Sequence, residues 1–303
     1  MFELRQSLFL FITATIWGSG FIGQSIGMDH VEPFTFTFFR TLIGGIVLLP
    51  VIAFMRKIRQ RGGRRLPHTD KKALLLGSLA CGACLIAAES FQQFGLKFGT
   101  DAGKAGFITS MYIIFVPLLT LFTGRRIRPL IWLAVALSVA GLYLLCIKGE
   151  LSFERGDLMV FICAIVFAVH ILVIAYFVDK VDGILLSCGQ FFAASFIGLI
   201  LMLVHDTVTW EGLRGAAPAL LYVGIMSNGV AYTLQIVGQR GMNPAVATII
   251  LSLESVMATI FGILILNESL TLRELMGCVL MFIAVLMAQW PQKKTEYRDL
   301  PVS

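Results

Sequence analysis

The chain has 303 residues, 57% of them hydrophobic and 14% charged, and a mean hydropathy of +0.86. About a quarter of an ordinary soluble domain is charged, so this composition excludes a soluble domain and leaves an integral membrane protein. The net charge of +6 does not point to nucleic acid, because the basic residues gather in short segments between apolar runs, as they do in cytoplasmic loops.

In chain order, ten runs are long enough to cross a bilayer: residues 7–27, 34–55, 73–96, 102–123, 129–147, 157–178, 184–204, 217–238, 244–266 and 271–290. The first has only Arg5 as a basic flank and no small-residue cleavage site, so it reads as a retained helix. The longest connection, residues 56–72, is a basic loop, and the tail at 291–303 is short and polar, which leaves no aqueous domain. With the amino terminus in the cytoplasm, the segments on that side carry 17 Lys and Arg against six on the other, and Arg40 falls inside the second span. A multi-pass protein of the plasma (inner) membrane with both termini cytoplasmic is therefore expected.

The two halves repeat. FITATIWGSGFI at 11–22 matches FICAIVFAVHIL at 161–172, and VEPFTFTFFR at 31–40 matches VDGILLSCGQ at 181–190, both at an offset of 150. Beyond the basic loop the offset is 142, pairing DAGKAGFITSMYIIFVPLLTLFTGRR at 101–126 with NPAVATIILSLESVMATIFGILILNE at 243–268. Asp101 and Asn243 then share an N-cap position, and Ser110 lies opposite Ser252. Five spans per unit is an odd number, so the second unit enters the membrane inverted, which agrees with the basic turn at 125–128 against Asn267-Glu268-Ser269-Leu270 in its partner. The expected fold is an all-α integral membrane protein, with ten transmembrane helices in two inverted five-helix repeats. The units would be residues 1–149 and 150–290, followed by a cytoplasmic tail at 291–303.

Polar residues inside the spans are the candidate site. An ionised group at the bilayer centre costs roughly 2.5–3.5 kcal/mol, so Glu254, in the ninth span, should face protein or a watery cavity. In the eighth span Asn228, Tyr232, Gln235 and Gln239 fall on one helical face. The matching face of the third span carries Ile86, Ser90, Gln93 and Lys97, with Glu89 and Gln92 beside it. Two antiparallel polar faces read either as a lined pathway or as amides bonding neighbouring helices, each worth about 0.6–2 kcal/mol. Arg40 lies roughly 9 Å from the outer end of its span, and its repeat partner Gln190 lies as far from the inner end of the seventh. The guanidinium suits a bidentate grip on a substrate carboxylate, and equally a structural pairing with Glu89 or Glu254, or snorkelling. His170, opposite Gly20 in the repeat, is either a proton carrier, a role Glu254 and Glu89 share, or one member of a buried hydrogen-bond pair. Trp17 and Tyr112 can stack on a planar substrate, or pack and anchor.

Other features read structurally. Pro117 is expected to kink the fourth span near its middle. Stripes of small residues, Thr248 to Gly262 and Gly99 to Ser110, mark close helix packing. The six cysteines all lie in apolar runs, so the Cys81–Cys84 pair reads as packing, and four scattered histidines make no ligand set. Neither a metal nor a cofactor is expected.

Trp17-Gly18 in the first span, Pro33 followed by Arg40 in the second, and SLESVMATIFGILILNESLTLRELMG at 252–277 resemble the EamA-like branch of the drug/metabolite transporter superfamily, over nearly the whole chain. The last motif is the most specific. The chain departs from the common pattern at Arg126, where an acidic residue is usual. The resemblance implies an inner-membrane permease of two EamA units, often an exporter of amino acids or other small metabolites.

Together these readings predict a secondary transporter, not an enzyme, whose substrate enters a central cavity exposed alternately to each side. The expected partners are a small molecule, the lipid bilayer and protons as a coupling ion, with no nucleic acid, in a monomer or homodimer. No phosphate-binding loop is present in the sequence. The competing class is an intramembrane enzyme acting on a lipid-linked substrate through Glu254 and His170 as acid and base.

Overall fold

The structure, a computed structural model, describes residues 2–61, 69–122, 127–147, 154–266 and 271–290. The turns holding Arg126 and Asn267-Glu268, most of the basic loop and the tail lie outside the described residues. The first unit comprises α1 (Phe2–Met28), α2 (Pro33–Arg61), α3 (Lys71–Lys97), α4 (Ala102–Thr109), α5 (Tyr112–Leu121) and α6 (Pro129–Cys146). The second comprises α7 (Arg155–Phe177), α8 (Gly183–His205), α9 (Trp210–Tyr222), a π-helical stretch (Val223–Tyr232), α10 (Thr233–Gln239), α11 (Pro244–Leu251), α12 (Glu254–Leu266) and α13 (Leu272–Ala288).

These segments make ten spans, because α4–α5, α9–π–α10 and α11–α12 are each one crossing. Eight crossings have at least 18 residues and enough apolar content to cross a membrane, and α6 and α13 are the two shorter ones. Helix starts follow local chemistry. Asp70, Asp182 and Asn243 accept bonds from the first free N–H groups of α3, α8 and α11, and Thr271 and Glu274 form a capping box on α13. Asp101 holds the N-cap position of α4 without a side-chain cap bond.

The fourth and ninth spans break at equivalent places, residues 110–111 and 252–253, which are 142 apart. In both, the backbone tightens to three-residue turns: Met111 N–H donates to the Ile108 carbonyl and Leu253 N–H to that of Ile250, each at 3.1 Å. Pro117, where a kink is expected, lies inside α5, and the span is also interrupted six residues earlier. The cause is polar competition with the helix. Ser252 bonds back to the Ile249 carbonyl, while the Ser110 hydroxyl turns to Glu254.

Packing displays the repeat. Helix α7 lies along α3, and its equivalent α1 lies along α9, the π stretch and α10, so the first helix of each unit packs on the third span of the other. Equivalent helices also meet directly, α2 on α8 and α6 on α13. This is the interlock of two inverted repeats around a pseudo-two-fold axis in the membrane plane. Glycine permits the closest approach: a Cβ on Gly277 would stand 2.6 Å from the Gly141 carbonyl oxygen between α13 and α6. Outward-facing positions are apolar, Phe54, Phe196, Leu203 and Leu286 among them, as a lipid-facing surface requires. Trp210 and Trp290 sit at helix ends, where an interfacial belt places them.

Candidate functional site

A small, partly open cavity of about 30 Å³ lies where the two units meet. Its walls include three pairs of repeat-equivalent residues: Trp17 with Phe167, Phe21 with Ile171, and Tyr112 with Glu254. A space lined by both members of such pairs sits on the pseudo-two-fold axis. Gln24, Arg40, Gln92, Thr109, Ser227, Tyr232 and Gln235 complete the lining.

One wall is built around Arg40, which is 1% exposed. Its Nη2 is 3.2 Å from Glu89 Oε1, Nε donates to Asn228 Oδ1 at 3.0 Å, Nη1 to Gln24 Oε1 at 2.8 Å, and Nη2 to Ser227 Oγ at 3.4 Å. Asn228 Nδ2 donates in turn to Glu89 Oε1 at 3.2 Å. A buried guanidinium is tolerated only when its charge and donors are matched, and four residues match them here. Gly44 and Gly224 make the network possible: a Cβ on Gly44 would stand 2.8 Å from Asn228 Cβ, so α2 and the π stretch meet backbone to backbone. The wider π winding turns residues five apart onto one face, bringing Ser227 round to the cavity beside Tyr232.

The facing wall is Glu254, the first residue of α12. Its Oε1 accepts from Ser110 Oγ at 3.1 Å and from Tyr112 Oη at 3.0 Å, and Ser110 also meets Ser255 Oγ at 3.3 Å. Gly18 lets α12 approach, since a Cβ there would lie 2.6 Å from the Glu254 carbonyl oxygen. The adjacent Trp17 ring packs edge-on to Tyr232 at 4.7 Å.

Of the residues singled out from sequence, Trp17, Arg40, Gln92, Tyr112, Tyr232, Gln235 and Glu254 line this cavity. Glu89 and Asn228 stand behind Arg40 as its partners. Between the structural partners considered for Arg40, the structure selects Glu89. His170 and Gln190 are buried away from the lining and bond to each other, Nε2 to Oε1, at 3.0 Å. Gln93 is fully buried on α3, and among the described residues neither polar atom of its amide has a hydrogen-bond partner. Sequence reasoning missed Gln24, Ser227, Thr109 and the apolar lining. Gln24 carried a signal, as a polar residue within an apolar run, whereas Ser227 is hidden by the assumption of α-helical winding. Among the described residues no three His, Cys, Asp or Glu side chains group closely enough to hold a metal ion.

Comparison with known proteins agrees with this geometry. An archaeal protein from Archaeoglobus fulgidus, described as an uncharacterized transporter, is 29% identical over 94% of this chain and 86% of its own length. The uncharacterized transporter YwfM of Bacillus subtilis is 28% identical, over 95% of both chains. A crystal structure with 18% sequence identity superposes with a TM-score of 0.74, covering 94% of this chain and 96% of the other, and so shares the fold. The model of the EamA-like transporter family matches twice, at residues 4–147 and 154–289. The chain therefore belongs to the EamA-like transporter family, as a multi-pass membrane transporter.

Proposed function

We propose that the protein exports a small metabolite, an amino acid or a related compound, across the inner membrane by alternating access. The observation that carries this reading is the position of the cavity on the pseudo-two-fold axis, between Tyr112 and Glu254. A site on the axis is equidistant from both sides, so rocking of residues 1–149 against 150–290 exposes it to each side by equivalent motions. Trp17, Arg40, Tyr112, Tyr232, Gln235 and Glu254 would touch the substrate directly, with Glu89 and Asn228 fixing Arg40. Gln190 is the repeat equivalent of Arg40 and Gln93 that of Gln235, so with His170 they would line the path in the opposite state. Both termini would lie in the cytoplasm, as the distribution of Lys and Arg argues, and a proton gradient would drive the cycle.

The test is flux of labelled amino acids in proteoliposomes of the full chain, with and without a pH gradient. Ser227→Trp, which fills the cavity beside Arg40, should abolish flux while the variant still reconstitutes. Undiminished flux in that variant would place the pathway elsewhere.

A further inference from the structure

We infer that the cavity recognises its substrate by an ammonium group, held by Glu254 among aromatic rings, so that the ligand class is a small primary amine or the amino end of an amino acid. This rests on the reading of the cavity as the transport site. Its basis is the unequal treatment of the two charged groups that border the cavity.

Arg40 has no charge to spare. Glu89 faces it at 3.2 Å with both side chains buried, and Asn228, Gln24 and Ser227 take further donors of a guanidinium that has five in all. A substrate carboxylate would have to compete with Glu89 for a cation already neutralised and pinned.

Glu254 is the opposite case. It is 2% exposed, and none of the ion pairs among the described residues includes it. Both neutral donors, Ser110 and Tyr112, act on Oε1, which leaves Oε2 for the cavity. A buried carboxylate that borders a cavity without a counter-charge takes either a proton or a cation from the cavity, and a substrate ammonium supplies both charge and donors.

The rest of the lining fits the same ligand. Trp17, Phe21, Tyr112, Phe167 and Tyr232 border the cavity, and ring faces attract ammonium groups, Trp most strongly. Among the described residues Gln235 Oε1, buried on that lining, is an acceptor without a partner. An ammonium brings three donors and no acceptor, which suits two waiting acceptors and a ring. Among the described residues, the buried unpartnered donor on the lining is Trp17 Nε1, which is neutral and offers a carboxylate no counter-charge.

Two probes separate the ends of one molecule: leucinamide keeps the ammonium and lacks the carboxylate, and N-acetylleucine does the reverse. Thermal stabilisation of the full chain in lipid nanodiscs should occur with leucinamide and not with N-acetylleucine. Glu254→Gln, which keeps shape and removes charge, should weaken leucinamide at least tenfold. Stabilisation by N-acetylleucine alone, by neither probe, or by leucinamide equally in Glu254→Gln would overturn the inference. The discrimination by the unaltered chain stands even if the variant does not fold. Each of these failures leaves the transport reading to its own test, the loss of flux in Ser227→Trp.

Discussion

Tyr112 and Glu254 occupy the same position in the two repeats, 142 residues apart, and the Tyr112 hydroxyl donates to the Glu254 carboxylate at 3.0 Å. Equivalent residues can touch only where the pseudo-symmetry axis passes between them, so this bond lies on that axis. The two broken spans each begin their second half here, and each contributes its first residue. Tyr112→Phe removes one of the two donors to Glu254 and leaves Ser110. We expect a loss of about 1–3 kcal/mol, read as a lowered thermal midpoint in detergent. An unchanged midpoint would mean that the bond contributes nothing to joining the halves.

The Arg40–Glu89 pair should behave as a coupled unit. Arg40→Ala strands a carboxylate that is 0% exposed, and the loss of one buried partner typically costs about 3–5 kcal/mol. The double variant Arg40→Gln with Glu89→Gln replaces the pair by neutral amides of similar size and should be clearly more stable than either single substitution. A double-mutant cycle in thermal unfolding reads the coupling directly. Additive losses would show that the two side chains are stabilised separately. Arg40→Lys is not conservative here, because an ammonium cannot hold Glu89, Asn228, Gln24 and Ser227 in one plane.

Gly18 should tolerate no side chain. Even an added Cβ would meet the Glu254 carbonyl and the Ala258 nitrogen at 2.6 Å each, and these are backbone atoms of α12. Gly18→Val is expected to push α12 away from α1, costing about 1–3 kcal/mol, and to lower flux more than stability because the displaced residue is Glu254. Flux that falls only in proportion to folded protein would argue that α12 is not part of the site.

The two ends of the molecule are closed unequally. Arg240, at the end of α10, donates through Nε at 3.0 Å and Nη2 at 2.6 Å to the Val178 carbonyl, and its Nη2 also reaches that of Val181. The carbonyl equivalent to Val178 is Met28, which among the described residues receives Lys97 Nζ at 3.5 Å. Lys97 pairs with Glu32 at 3.3 Å, both being substantially exposed, and such surface pairs contribute about 0–1 kcal/mol. Arg240→Ala should therefore lower the thermal midpoint far more than Lys97→Ala. Equal effects would remove the asymmetry.

The sequence makes the spans and the repeat legible because both rest on long-range regularities: apolar runs of fixed length, and offsets of 150 and 142 that survive substitution. The membrane cost of a carboxylate likewise places Glu254 on an internal surface from the sequence alone. What stayed hidden depends on tertiary bonding. The breaks at 110–111 and 252–253 contain neither Pro nor Gly, and arise where serine hydroxyls serve Glu254 and a helix carbonyl. The π winding that presents Ser227 has no motif of its own, so a helical wheel of 3.6 residues per turn misplaces that residue. Gln24 gained meaning only when Arg40 was seen to donate to it.

Oppositely inserted repeats make α6 and α13 antiparallel, with a Cβ on residue 277 standing 3.1 Å from Leu145 Cβ. Cysteines substituted for Leu145 and Gly277, in a chain otherwise free of cysteine and carrying a protease site at residues 148–153, should form a disulfide on mild oxidation and keep the cleaved halves joined. Halves that remain joined through 145 and 277 establish the inversion. Joining through 145 and 287 instead, the pair that a parallel repeat brings together, would contradict it.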